Sequence, residues 1–293
     1  MVSIREVEVQ KDSDIPALAI SAAKAIDTSL LLQVQSSVRR RLQSLREWHV
    51  VNWCLLGWYD FVFQHRRTKI GPLWQTLQVA GWAAGLVIIF GPFHADTPGY
   101  IPYVVSGLVV WGLLSSCLVA GTGVFAANAS LILNIPNPLA LYVMRSLSLM
   151  AARFACQLLV FVPVAIYYRL PLGTSLLWFI PGLFLIFLCF GSSMMVLGII
   201  GARMRDLEHL MSAAMRFLFF ATPIFWIPGE GVLRSVLAQV NPLAWFLDLL
   251  RLPLLGESPP TQTFLLCGIV TILSMTAALL VHRRLGRFVP TWL

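Results

Sequence analysis

The sequence predicts an all-α integral membrane protein, and three observations carry that prediction. Hydrophobic residues make up 58% of the 293-residue chain while charged residues make up only 12%, about half the charged share of an ordinary soluble domain. The mean hydropathy is +0.79, too apolar for a water-facing shell and opposite to the composition of a disordered chain. The gaps between charges repeatedly reach the roughly 20 residues that an α-helix needs to cross a bilayer. Six such runs are expected as spans: Leu73–Phe93, Tyr100–Phe125, Leu147–Tyr167, Leu176–Gly201, Leu210–Ile227 and Phe264–Val281.

Before the first span, residues 1–44 read as a hydrophilic extension, with helical character from Ser29 to Arg46. Met1 to Lys24 carries Arg5, Glu6, Glu8, Lys11, Asp12 and Asp14 and lacks the apolar core of a signal peptide. Residues 45–72 form a second expected unit. Leu45 to Gln64 is rich in aromatics, including Trp48, Trp53, Trp58, Tyr59, Phe61 and Phe63, and ends at His65-Arg66-Arg67. That is the make-up of an interfacial helix lying in the headgroup plane before the chain turns inward at Gly71-Pro72. Residues 73–293 are the six-span domain. Between its fifth and sixth spans, Pro228 to Pro260 is too polar to cross and too long for a turn. Its apolar pieces, Val232–Val240 and Leu243–Leu255, are set off by Gly229, Gly231, Pro242, Pro253 and Gly256. Short re-entrant helices fit this punctuation.

Charge sets the orientation. Lys and Arg number 21 against 13 Asp and Glu, for a net charge of +8. On such an apolar chain this excess points to loops facing anionic lipid and not to nucleic acid. Ten basic residues precede the first span and Arg283, Arg284 and Arg287 follow the last, whereas the first loop, His94 to Gly99, has no Lys or Arg. Both termini are therefore expected in the cytoplasm.

Much chemistry is missing from these residues. There is no GxxxxGK[ST] phosphate loop, no HExxH and no GxSxG. Asp206 and Glu208 lie within Arg203-Met204-Arg205-Asp206-Leu207-Glu208-His209, which reads as a salt-bridged surface turn. The five histidines are scattered, and Cys54, Cys117, Cys156, Cys189 and Cys267 follow no ligand spacing, so neither a metal site nor a disulfide frame is expected. Inside the spans only Arg153 and Arg216 are ionisable. Charges at membrane depth are candidates for function, unless the long side chains snorkel to an interface.

Three stretches then resemble a known family. Gln64-His65-Arg66-Arg67-Thr68-Lys69-Ile70-Gly71-Pro72-Leu73-Trp74 is similar to the lead-in to the first span of ABC-2-type polysaccharide export permeases. Arg205-Asp206-Leu207 followed by Phe219-Phe220-Ala221-Thr222-Pro223-Ile224-Phe225 resembles a second segment of that family. Asn241-Pro242-Leu243 with Arg251 and Gly256 resembles a third, and the three occur in the family's order. Departures are Gln64-His65 in place of Arg-Tyr, and Arg216 where an uncharged residue is expected.

The resemblance implies a transport subunit and not an enzyme. It implies a homodimer in the inner membrane, with a separate cytoplasmic ABC ATPase dimer binding ATP and Mg, so that this chain itself carries no cofactor. The implied substrate is a lipid-linked polysaccharide of the O-antigen, capsule or teichoic-acid kind; a permease of the same superfamily exporting a drug or lipid is the alternative. Sugar rings stack their C–H faces on aromatic side chains. From 10 Trp, 18 Phe and 6 Tyr, the expected channel residues are Trp58 and Tyr59 on the inner side and Phe225, Trp226, Trp245 and Phe246 on the outer. Expected ATPase contacts are Asn128, Asn134, Pro136 and Pro138 in one loop and Arg203, Arg205 and Asp206 in the charged turn.

Overall fold

The computed structural model describes residues 50–66, 68–97, 99–134, 137–228 and 232–293. The extension 1–44, its expected helix, the start of the interfacial helix and Pro136 lie outside the described residues. Regular structure among the described residues is entirely helical. In chain order the α-helices are α1 (Val50–His65), α2 (Leu73–Phe90), α3 (Tyr100–Gly123), α4 (Ala129–Asn134), α5 (Leu139–Leu158), α6 (Phe161–Tyr167), α7 (Phe179–Arg203), α8 (Leu207–Ala221), α9 (Val232–Val240), α10 (Pro242–Leu255), α11 (Thr261–Leu285) and α12 (Val289–Trp292).

Five helical stretches are long and apolar enough to cross a membrane: Leu73–His94, Tyr100–Gly123, Leu139–Tyr167, Thr174–Arg203 and Thr261–Trp292. They match five of the six expected runs, with two corrections. The third begins at Leu139, eight residues before the expected Leu147, because Arg145 does not end it: the guanidinium is paired with Asp60 of α1. The fifth expected span, Leu210–Ile227, is a shorter helix. α8 starts at Leu207 and stops at Ala221 after 15 residues, about 22 Å against a hydrocarbon core of roughly 30 Å. Pro223 stops it. A residue before proline is pushed out of the helical region, and Thr222 is extended at φ −102°, ψ 138°.

Beyond the break, α9 and α10 occupy almost the segments that the proline and glycine punctuation marked out. Asn241 caps α10, its side-chain oxygen accepting from the Leu243 N–H at 3.0 Å, with Pro242 at the first helical position. Gly256 closes α10 at φ +89°, where a Cβ would also stand 2.6 Å from the Pro171 carbonyl; only glycine fits. The interruption between α5 and α6 has its own cause. The ring of Pro163 collides with the carbonyl of the residue four places earlier, Leu159, and the helix yields at that point.

α3 is the axis of the bundle. Buried residues make up 67% of its apolar window, against 6% for α2 and 17% for α11. It packs on α2, α5, α7, α8 and α10. Against α7 the approach is too close for side chains: a Cβ on Gly201 would lie 1.9 Å from the Thr122 carbonyl, and one on Gly198 would lie 2.5 Å from a Val124 methyl. Helix pairs in lipid associate through such small residues, because the tails around them are as apolar as leucine. α11 joins α7 through Ser274, whose hydroxyl lies 2.7 Å from Ser192 and 2.9 Å from Ser193. α1 lies along α5 and is fixed there by Gly57, whose Cα faces the Arg145 carbonyl, and by Ser148 donating to the Cys54 carbonyl at 2.5 Å.

Gly201→Ala forces α3 and α7 apart and is expected to lower the thermal midpoint of the detergent-solubilised chain by several degrees, since overpacking costs about 1–3 kcal/mol. Gly81→Ala, which meets nothing within 4 Å, leaves the midpoint unchanged; fluorescence-detected size exclusion after heating measures both.

Candidate functional site

Two adjoining features form the candidate site: a lashed break in the backbone, and a groove leading away from it. The break is Thr222–Trp226, buried but non-helical, so its carbonyls need partners. Two tyrosines in the first turn of α3 supply them. The Tyr100 hydroxyl donates to the Phe225 carbonyl at 2.7 Å; the Tyr103 hydroxyl donates to Pro223 at 3.0 Å and to Trp226 at 3.2 Å. Arg251 of α10, only 2% exposed, donates to the Pro223 carbonyl at 2.5 Å, pairs with Asp248 and lies 4.0 Å above the Tyr103 ring. The Thr222 hydroxyl donates to the Leu218 carbonyl, and the Asn241 amide reaches that hydroxyl at 2.9 Å. Arg251 and Asn241 thus act as braces.

The break gathers aromatic rings. Phe225 stacks on Phe219 at 5.7 Å and lies 5.0 Å from Phe90 of α2, while Phe219 meets the edge of Trp111 at 6.0 Å. From this cluster a groove of about 610 Å³ runs between α2, α3 and α8. Its walls include Trp82, Trp111, Phe219 and Phe220, together with Ser115, Ser116, Ser212 and Arg216. Trp82 and Phe220 are 69% and 66% exposed.

The expected channel residues fall in different places. Trp58 and Tyr59 are exposed on α1. Phe225 is half-buried in the aromatic cluster, and Trp245, also half-buried, donates its indole N–H to the Gln239 carbonyl at 3.0 Å. Trp226 and Phe246 are interior. The Trp226 indole donates to the Phe220 carbonyl, closing the end of α8, and Phe246 packs edge-on against Phe190. Rings enclosed in this way do not offer a face to a passing sugar in this conformation. Sequence reasoning missed Trp82, Trp111 and the bracing tyrosines, which lie in uniformly apolar helices where no pattern distinguishes one face from another.

At the opposite end of α3, one of the expected ATPase contacts, Arg205, lines a cavity with residues of the loop after α3. Ala126, Ala129, Gly201, Arg205, Glu208 and Trp292 line one cavity of about 340 Å³, so the loop after α3 and the turn after α7 share a surface. Asn128 accepts from Arg145 at 3.1 Å, and Arg145 also holds Asp60 through two hydrogen bonds of 2.6 and 2.7 Å. Asn134 is exposed and bonds only its own helix turn; Pro138 stands at the start of α5. Arg203, Arg205 and Asp206 are exposed. No ion pair forms within this turn among the described residues, contrary to the salt-bridged reading: Arg203 lies 5.6 Å over the Trp292 ring, and Arg205 and Glu208 face the cavity. Arg153 reaches Gln64 of α1 at 2.8 Å.

A family model described as ABC-2 type transporter matches residues 51–255, from the start of α1 to the end of α10. The chain belongs to the ABC-2 type transporter family. It is similar to two proteins of Klebsiella pneumoniae, each called O-antigen export system permease protein RfbA. Both are 24% identical over 192 residues, covering 63% of this chain and 73% of the relative. The ABC-2 match encloses the lashed break and the groove entirely, and it makes this membrane protein a transport subunit.

Arg251→Met leaves the Pro223 carbonyl without that donor and Asp248 without its partner. The expected loss is about 3 kcal/mol, the low end for a broken buried pair because Asp248 is partly exposed. Tyr103→Phe, which removes one shared bond, costs about 1 kcal/mol; melting of the purified variants ranks the two.

Proposed function

We propose that this chain is the membrane-spanning subunit of an ATP-driven exporter that moves a lipid-linked polysaccharide across the cytoplasmic membrane. It works as a homodimer, with both termini in the cytoplasm, and a separate ABC ATPase dimer binds ATP and Mg and drives it. The observation that carries this reading is the open aromatic groove between α2, α3 and α8. A glycan needs weak, repeated contacts in order to slide, and aromatic faces set beside hydroxyls supply them. A second copy closing over the groove turns it into a path sheltered from lipid. The similarity to O-antigen export permeases favours the same substrate class.

On this reading α8 and the lashed break together make the sixth crossing, with α9 and α10 entering the outer leaflet as re-entrant helices. Broken backbone of this kind is tolerated at membrane depth only where protein or water covers it. α1 lies at the inner interface, offering Trp58 and Tyr59 to the incoming substrate. Asn128, Asn134, Pro136, Pro138, Arg203, Arg205 and Asp206 are the residues that receive the ATPase, and Arg145 ties Asn128 to α1 through Asp60.

The test is export by membranes holding this chain with its ATPase. The chain alone binds no nucleotide and exports nothing; the assembled pair exports polymer when given ATP. Trp82→Ala and Phe220→Ala each lower export per inserted subunit by roughly two- to tenfold, as the loss of one stacking platform predicts, with subunit abundance unchanged. Unaltered export per subunit in the double variant removes the groove from the path.

A further inference from the structure

Arg216 is the one cation among the groove's lining residues, and its surroundings are sorted along the groove. α3 and α8 are antiparallel. Tyr100 and Tyr103 at the start of α3 hold Phe225 and Pro223 beyond the end of α8, while Gly123 at the other end of α3 faces Glu208 in the first turn of α8. Trp111 on α3 and Phe219 and Phe220 on α8 therefore line the half of the groove near the break. Ser115 and Ser116 on α3 and Ser212 on α8 line the half nearer the basic turn, and Arg216 stands between the two halves on α8. Polar and aromatic lining are segregated, as they are in a site for an amphiphile.

Among the described residues the cation has no partner. Arg216 is exposed, no acidic side chain lines the groove, and no ion pair or hydrogen bond joins its guanidinium to the described residues. It stands nine residues beyond the start of α8, roughly 13 Å along the helix axis, with Met215, Phe219 and Phe220 of the same helix lining the groove beside it. A bare cation there is costly and is retained where it meets an anion. A guanidinium offers a planar fork that matches two oxygens of a phosphate, and three serines line the same groove.

Resting on the exporter reading above, we propose that Arg216 binds the phosphate that joins lipid to glycan in the exported substrate, with the lipid chain along the apolar wall. The site thus takes an anionic phosphoester carried on one slender apolar chain, and not the two-tailed phospholipid of the bilayer. Arginine at this position marks where the head of the substrate pauses before the sugar chain passes the aromatic half.

The purified full-length chain, in nanodiscs of neutral phosphatidylcholine, is irradiated with dodecyl phosphate carrying a diazirine on its tail. Labelled peptides are mapped at equal amounts of monodisperse protein. Label is expected on α2, α3 and α8. Excess dodecyl phosphate displaces it and dodecanol does not. Arg216→Gln lowers labelling about tenfold or more, as loss of a charge-assisted bond predicts; Arg216→Lys, which keeps the charge and loses the fork, falls between that variant and the unaltered chain, and Arg283→Gln has no effect. Equal displacement by dodecanol, or undiminished labelling of Arg216→Gln, overturns the phosphate site in favour of a merely apolar groove. Full displacement by phosphatidylglycerol overturns it in favour of bulk anionic lipid. Disulfide crosslinking of Arg216→Cys to a second copy, with no label entering, makes the groove an interface and likewise overturns the site. Polymer export is scored separately: export without the labelling pattern sinks only the phosphate site, and the labelling pattern without export sinks only the exporter reading.

Discussion

Backbone buried inside a protein has no water to satisfy a loose carbonyl or amide, so any departure from helix there must be repaired by the protein itself. Here the departure is at Thr222–Trp226, and much of the bundle is organised around its repair. Tyr100 and Tyr103 fix the first turn of α3 against it, Arg251 brings α10 onto it, Asn241 ties in the start of α10, and the Trp226 indole closes α8. Removing the break would straighten α8, but Phe225 would then leave Phe219 and Phe90. The aromatic cluster therefore exists because the helix ends early, and the groove is held open between walls that these same hydrogen bonds position.

The far end of the bundle is held by a different device. α3 and α7 meet there through backbone contact at Gly201 and Thr122, which fixes their separation without polar bonds. Onto that rigid pair is added a charged bridge, Asp60–Arg145–Asn128, which joins α1, α5 and the segment after α3. Its geometry is bidentate and its groups are partly exposed, so it resists sliding more than it adds stability. One end is locked by hydrogen bonds to a broken chain, the other by steric contact and a surface bridge. Arg145 thus bonds both the Asn128 segment and α1.

Much of the frame was legible in the sequence, and the errors have specific causes. Apolar run length located five membrane-length helices, and proline and glycine spacing outlined α9 and α10 to within a residue or two. Where a charge was taken as the end of a span the reading failed, because Arg145 is neutralised by Asp60, 85 positions away. Where apolarity was taken as helix it failed again, because Pro223 redirects Thr222 inside a run that is hydrophobic throughout. The candidate channel residues suffered from the same uniformity. A helix apolar on all sides carries no periodic signal of which face meets protein, lipid or substrate, so aromatics near recognisable motifs were chosen. Trp226 and Phe246 prove interior, while Trp82 and Trp111, which no motif marks, line the groove.

The residues that carried the family resemblance divide by the work they do. Phe219 and Phe220 line the groove, whereas Thr222, Pro223, Asn241, Arg251 and Gly256 are the break, its braces and the close of the bracing helix. Each is constrained by a hydrogen bond, a ring geometry or a positive φ that few other residues satisfy. The groove residues face a looser demand, since any apolar or aromatic side chain of suitable size keeps the bundle packed. Substitutions there change what the groove grips without loosening what holds it. The brace residues and the groove residues are thus held to different standards, the first by specific hydrogen bonds and backbone angles, the second by fit alone.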